Sequence, residues 1–368
     1  MGLKKDLLEL INLGGIFMKK KLIALTMTLA MAMSITACGA SGSKSAGDDN
    51  QSSAAAKGDY VIGMVTDTGG VNDKSFNQSA WEGLQELKAN TGADVTYLES
   101  TQESDYATNL DKEVDEGKNL IWGVGFAMAD AVKEAAEMND DINFGIIDNV
   151  YDEIPENVTC LSFSGQDPSF LVGYAAGLTT KTDSVGFVGG ISSDIIDQFE
   201  FGYRAGVEYA AKELGKEIKV DVQYADSFTD SAKGKAIATT MFSNGADIVF
   251  HAAGGVGTGV IEAAVEANKF AIGVDSDQLS LAPKNVLTSA LKRVDVAVCD
   301  VSQKLMDGED IGGQTYNYDL TNGGVGIPEE NPNMDKEVYK KTIELQDKVA
   351  AGEITVPYNE ATFKEFNK

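Results

Sequence analysis

What most constrains this chain is that strand-like and helix-like runs alternate along it, and do so twice. Apolar, β-branched stretches at 60–65, 94–98, 120–124 and 144–148 alternate with helical patterns over 75–90, 105–116 and 127–138. Such alternation predicts a parallel sheet with helices on both faces. After a pause at strand 158–163 and helix 168–180 the rhythm restarts. Strands at 184–188, 218–224, 247–251 and 270–275 enclose helices over 194–214, 230–244 and 257–268. The expected fold class is α/β, with two doubly wound parallel-sheet lobes. Strand 286–291, helix 294–306 and a C-terminal helix near 335–351 must cross back between them. This places 59–165 with about 288–318 in the first lobe, and 166–287 with about 319–368 in the second.

An internal likeness supports a duplication. Ile121-Trp122-Gly123-Val124-Gly125 leads through Glu134-Ala135-Ala136 to Phe144-Gly145-Ile146-Ile147-Asp148. In the later half, Val249-Phe250-His251-Ala252-Ala253 leads through Glu262-Ala263-Ala264 to Ala271-Ile272-Gly273-Val274-Asp275. Equivalent halves put Asp148 and Asp275 at the carboxyl edges of two sheets, where α/β proteins bind ligands. The loops at Gly125-Phe126 and Gly254-Gly255 then face the same cleft. The plainer alternative is that each Asp caps a turn.

The richest loop is Thr66-Asp67-Thr68-Gly69-Gly70-Val71-Asn72-Asp73-Lys74-Ser75-Phe76-Asn77, between the first strand and the first helix. Its glycines allow close approach of a ligand. Asp67, Asn72, Asp73, Ser75 and Asn77 offer hydrogen bonds, and Phe76 offers a flat apolar face. A polar ligand with an aromatic part suits it. Equally open is that Asp73 or Ser75 caps the helix while Phe76 enters the core.

Ahead of this body, Lys19-Lys20-Lys21 and an apolar run over 22–37 end in Ile35-Thr36-Ala37-Cys38. A basic segment and an apolar stretch shorter than the roughly 20 residues of a membrane span describe an export signal. Its last four residues match the bacterial lipobox, so 1–37 is read as signal and Cys38 as the lipid attachment site. Translation is expected to start at Met18, because residues 1–17 resemble neither part of a signal. Residues 39–58 are small and polar, a flexible tether spanning on the order of 25 Å. Together these put the protein on the outer face of a cell membrane, held by lipid alone.

The formal charge is −27, and about −30 once 1–37 is removed, which argues against nucleic acid or anionic headgroups as partners. Besides Cys38 only Cys160 and Cys299 occur. Pairing stays open, though each fits as a small apolar residue. His251 is the single histidine, on an apolar strand end with no cysteine nearby, so it reads as a strand-end residue rather than a catalytic base. Asp275 and Asp277 are too few for a metal site. Residues 69–75 lack the glycine that a P-loop needs before Lys-Ser, and Asp73 in its place repels phosphate. Gly254-Gly255-Val256-Gly257-Thr258-Gly259 lacks the dinucleotide-binding spacing. No catalytic residue, cofactor or metal is expected.

Several ordered stretches resemble the BMP (basic membrane protein) family of the purine nucleoside receptor A type. They are Gly70-Val71-Asn72-Asp73-Lys74-Ser75-Phe76-Asn77, Gly123-Val124-Gly125-Phe126, Val185-Gly186-Phe187-Val188-Gly189-Gly190, Ile272-Gly273-Val274-Asp275-Ser276-Asp277-Gln278 and Thr288-Ser289-Ala290-Leu291-Lys292. Asn72 departs from the usual Asp. The resemblance implies a type I periplasmic-binding-protein fold whose lobes, joined by crossover hinge strands, close on a nucleoside, most readily a purine. It also implies delivery by a monomer to the permease and ATPase of an ABC transporter. By motif, Phe76 is one stacking ring and Phe199 the other, with Phe228 as rival. Asn77 and Asp148 are candidates for the base, Asp275 and Lys292 for the ribose. With Asp67, Phe126 and Gly254 from the loops, these form the expected ligand site. Alternatives are a sugar or furanose-signal receptor of the same fold, or a nucleoside-cleaving enzyme.

Overall fold

The computed structural model describes residues 60–367; the expected signal, Cys38 and the tether lie outside them. The first sheet starts with β1 (Val61–Thr66), followed by α1 (Phe76–Thr91), the short edge strand β2 (Asp94–Val95), α2 (Asp105–Asp115), β3 (Leu120–Val124), α3 (Ala129–Met138), β4 (Asn143–Ile147) and β5 (Val158–Phe163). Then come α4 (Gln166–Thr179), β6 (Ser184–Gly189), α5 (Asp194–Leu214), β7 (Lys219–Tyr224), α6 (Ser231–Ser243), β8 (Ile248–Ala252), α7 (Val256–Ala267), β9 (Phe270–Asp275) and β10 (Val286–Lys292). The chain ends with α8 (Val294–Met306), β11 (Gln314–Tyr318), β12 (Val325–Gly326), α9 (Lys336–Ala350) and α10 (Glu360–Phe366).

The strands form two six-stranded sheets, in the orders β11-β5-β4-β3-β1-β2 and β12-β10-β9-β8-β6-β7. All pairings are parallel except β10 with β12. The two orders correspond strand for strand, with β3 matching β8 and β4 matching β9. The internal likeness in the sequence therefore reflects a repeated architecture, and places Asp148 and Asp275 at equivalent strand ends.

Each sheet is covered on both faces, which is why β3 and β4 read as unbroken apolar runs rather than alternating ones. In the first lobe, Leu84 and Leu87 of α1 and Val298 and Val301 of α8 pack with Trp122 on one face. Leu110 of α2 and Val132 and Ala136 of α3 cover the other. The Trp122 Nε1 donates to Ser302 Oγ of α8 at 3.0 Å, so the returning helix also satisfies the indole. The second lobe repeats the plan, with Phe170, Tyr203, Leu345 and Phe363 on one face and Met241, Val260 and Ala264 on the other.

The chain passes between lobes three times: after β5, at Arg293 between β10 and α8, and between β11 and β12. One expected boundary changes. The sequence pattern places 288–292 with the first lobe, whereas β10 is hydrogen-bonded to β9 within the second sheet. A strand run carries no mark of which sheet it will join, whereas the duplication does: β10 extends the second sheet as β5 extends the first. The edge strand at 94–98 is also shorter than expected, with Leu98 adding only a single bridge to Val65. Cys160 is buried, Cys299 half-buried, and both are free thiols.

Candidate functional site

A cavity lies between the carboxyl edges of the two sheets. All nine residues expected at a ligand site (Asp67, Phe76, Asn77, Phe126, Asp148, Phe199, Gly254, Asp275 and Lys292) line it, as does Phe228. Ile195, Ile196 and Val274 add branched apolar side chains to its wall, beside Gly69, Asp73, Gly125, Ala252 and Ala253. These three were not foreseen, since an apolar residue on a helix face or strand reads as core whether it meets a neighbour or a cleft.

The loop between β1 and α1 is fixed by Asp73. Its carboxylate accepts from the backbone N–H groups of Ser75 (2.9 Å), Asn77 (2.8 Å) and Gln78 (3.1 Å), which begin α1 with no helical partner. Of the two capping alternatives, Asp73 takes the role. The Ser75 side chain makes no cap bond. Its hydroxyl instead donates across the cleft to Asp275. With a carboxylate already at the helix N-terminus, that end is not available to an anion.

Asp67 Oδ1 accepts from Gly69 N at 2.7 Å and from Asn77 Nδ2 at 2.8 Å. The same Asn77 amide nitrogen donates to Asp73 Oδ2 at 3.0 Å. Both amide protons being used, Asn77 Oδ1 is left as a buried acceptor with no protein partner. Gly125 (φ 111°) stands behind this group, and a Cβ there would come within 3.1 Å of Asp67 Oδ2. Only glycine combines that backbone angle with that closeness.

Asp148 and Asp275 each sit just past or at their strand ends with positive φ, 66° and 63°. Non-glycine residues rarely adopt this geometry, which costs about 1 kcal/mol or more, and it turns both carboxylates toward the opposite lobe. Asp148 of the first lobe pairs with Lys292 of the second, and Asp275 of the second accepts from Ser75 of the first. The Lys292 ammonium lies 4.5 Å from the Phe76 ring centre, 5.1 Å from that of Phe163 and 6.0 Å from that of Phe199. Phe126 and Phe228 meet edge to face at 6.4 Å, one ring from each lobe.

Burial pushes both Asp67 and Asp275 up to about 6, with Lys292 and the Ser75 hydroxyl opposing the rise at Asp275. Between about pH 4 and 6 the folded chain therefore holds protons that an unfolded chain has released. These groups contribute stability at low pH, and that contribution is lost as pH rises through about 6.

A two-lobed body with its polar strand ends turned onto an enclosed cavity defines a solute-binding protein of the type I periplasmic architecture. The chain belongs to the Bmp family, described as ABC transporter substrate-binding protein PnrA-like, whose model matches residues 60–360. It is 42% identical over 364 residues to a CD4+ T-cell-stimulating antigen of Listeria innocua, covering 92% of this chain and 99% of that one. It is 40% identical over 363 residues to the ABC transporter nucleoside-binding protein BmpA of Lactococcus lactis, with the same coverage. Among solved structures, an ABC transporter solute-binding protein from Aeropyrum pernix shares the fold at a TM-score of 0.76 and 24% identity, covering 83% of this chain and 96% of that one.

Proposed function

We propose that this protein captures nucleosides between its lobes and hands them to an ABC permease and its ATPase, tethered as a monomer to the outer face of the membrane by lipid on Cys38. The observation that carries this reading is the cavity itself. Four phenylalanine rings and an acceptor-rich set of side chains converge on one space between the two sheets, the mix of apolar wall and few placed polar groups that small-molecule sites show. A nucleoside presents a flat base to the rings and neighbouring hydroxyls to carboxylates. The kinship with a protein named for nucleoside binding supports the same class.

In this reading Phe76 and Phe199 flank the base, while Asn77 Oδ1 and Asp67 face its N–H edge. Asp275 accepts from the ribose hydroxyls and Lys292 donates to a ribose oxygen. The resemblance assigned Asp148 to the base. Because it pairs with Lys292, we give it the part of orienting that ammonium. Phosphorylated compounds are refused, since Asp67, Asp73, Asp148 and Asp275 all line the cavity against the single cation Lys292. No covalent step is assigned: His251 is fully buried and faces Gln278, away from the cavity lining.

A thermal-shift screen tests the class. At about 100 times the dissociation constant, a bound nucleoside is expected to raise the melting temperature by about 4 °C, with no shift from ribose or nucleoside monophosphates. Stabilisation by pentoses but not by inosine, guanosine or adenosine would make this a sugar receptor instead. Free ribose appearing from inosine would make it an enzyme.

Affinity is also expected to depend on pH. Ligand hydroxyls and N–H groups favour the ionised forms of Asp67 and Asp275, so binding lowers their pKa values and releases protons. Inosine affinity measured by calorimetry should therefore rise at least about tenfold from pH 5 to pH 7 and then level off. A fall across the same window would show that the protonated carboxyls are the binding forms.

A further inference from the structure

We infer that His251, the chain's single histidine, is a positioning residue for closure of the cleft, acting through Gln278 as an interlobe latch. His251 lies on β8, wholly buried, with Nε2 at 2.9 Å from Gln278 Oε1. That oxygen also accepts from Val274 N at 3.2 Å, so it is an acceptor on both sides. The imidazole must then carry its proton on Nε2. Its Nδ1 is then an acceptor, buried without a partner among the described residues. Burial also holds the His251 pKa down to about 4, which keeps the ring neutral in the working range.

With its oxygen held by His251 and Val274, the Gln278 amide has one remaining direction for its NH₂ group. It donates to the Lys74 carbonyl of the opposite lobe at 2.8 Å. The Gln278 backbone N–H is fixed in turn by Ser289 Oγ at 3.1 Å. Lys74 has a φ of 60°, and the next residue, Ser75, carries the hydroxyl that reaches Asp275. The β1–α1 loop is thus tied to the segment after β9 by two adjacent bonds. If the Gln278 amide were reversed, oxygen would face the Lys74 oxygen and NH₂ would face two N–H donors. The Val274 N–H and the Lys74 carbonyl exclude that arrangement, and the Nε2 proton of His251 adds a second donor to the same oxygen. Gly257 confines the ring from α7, where a Cβ would come within 2.0 Å of the imidazole Cε1.

Neither His251 nor Gln278 lines the cavity, so their bond acts on the balance between open and closed forms rather than on ligand contact. The latch depends on the nucleoside reading only where a ligand is used to report it.

The test uses the full chain and two readouts: hydrogen exchange of the 66–79 segment without ligand, and stopped-flow release of inosine. Gln278→Leu and His251→Phe are each expected to speed both by about fivefold, the worth of one neutral hydrogen bond. The double variant should be no faster than either single one. His251→Gln places an amide N–H where Nε2 stands and should restore wild-type behaviour. The inference is overturned if Gln278→Leu changes neither readout, or if His251→Gln behaves like His251→Phe, which would reduce the role to packing. Should His251→Phe not fold, the contrast between Gln278→Leu and His251→Gln decides. If the wild type does not bind inosine, the nucleoside reading fails while the exchange readout still judges the latch.

Discussion

Replacing Phe76 by alanine is expected to weaken inosine binding by about 10- to 100-fold while leaving the circular dichroism spectrum unchanged. The ring stands at the first position of α1, packs only partly into the first-lobe core and lines the cavity. A base stacked on such a ring gains about 1–3 kcal/mol. The Lys292 ammonium over the same ring is an interlobe contact that alanine also removes. Because Asp73 fixes the helix start through backbone bonds, the loop keeps its shape without the ring. Phe76→Trp, which preserves a flat face, is the control. Unchanged affinity in a folded Phe76→Ala protein, measured by calorimetry, would remove this ring from the site.

The second large effect is expected from Asp275→Asn. Hydrogen bonds to a charged group are worth about 1.5–3 kcal/mol, so affinity at pH 7.5 should fall by about 10- to 150-fold. Asparagine tolerates the positive φ of this position better than alanine does, which keeps backbone strain out of the comparison. The melting temperature should hold or rise. Burial lifts the Asp275 carboxyl to about 6, so above that pH its charge opposes folding, and an amide relieves the opposition. Lost affinity with retained stability separates a ligand contact from a structural prop. Lost stability at unchanged affinity would reverse the assignment.

Much of this architecture can be read from residues alone, for definite reasons. Covered parallel sheets write themselves as apolar runs between helical patterns, and a duplicated lobe writes them twice. The likeness between 121–148 and 249–275 therefore marks two equivalent strand-end carboxylates in the sequence itself. What stays hidden is whatever depends on partners distant in the chain. The sheet that β10 joins is settled by its neighbour β9, and nothing in residues 286–292 names that neighbour. Ser75 and Asp73 are equally good caps by composition. Only the closed lobes show that Asp73 satisfies the helix start and so frees Ser75 for Asp275. Gln278 closes the motif that begins at Ile272, but its bond to Lys74 spans 204 positions.

The crosswise reach of the two strand-end acids has a consequence for surface charge. Asp148 meets Lys292, and Asp275 meets Ser75, across the cleft, so each contact needs a residue from both halves. Parting the halves would bare an ammonium on one margin and acids on both, so a parted and a shut molecule would differ in the charge they display.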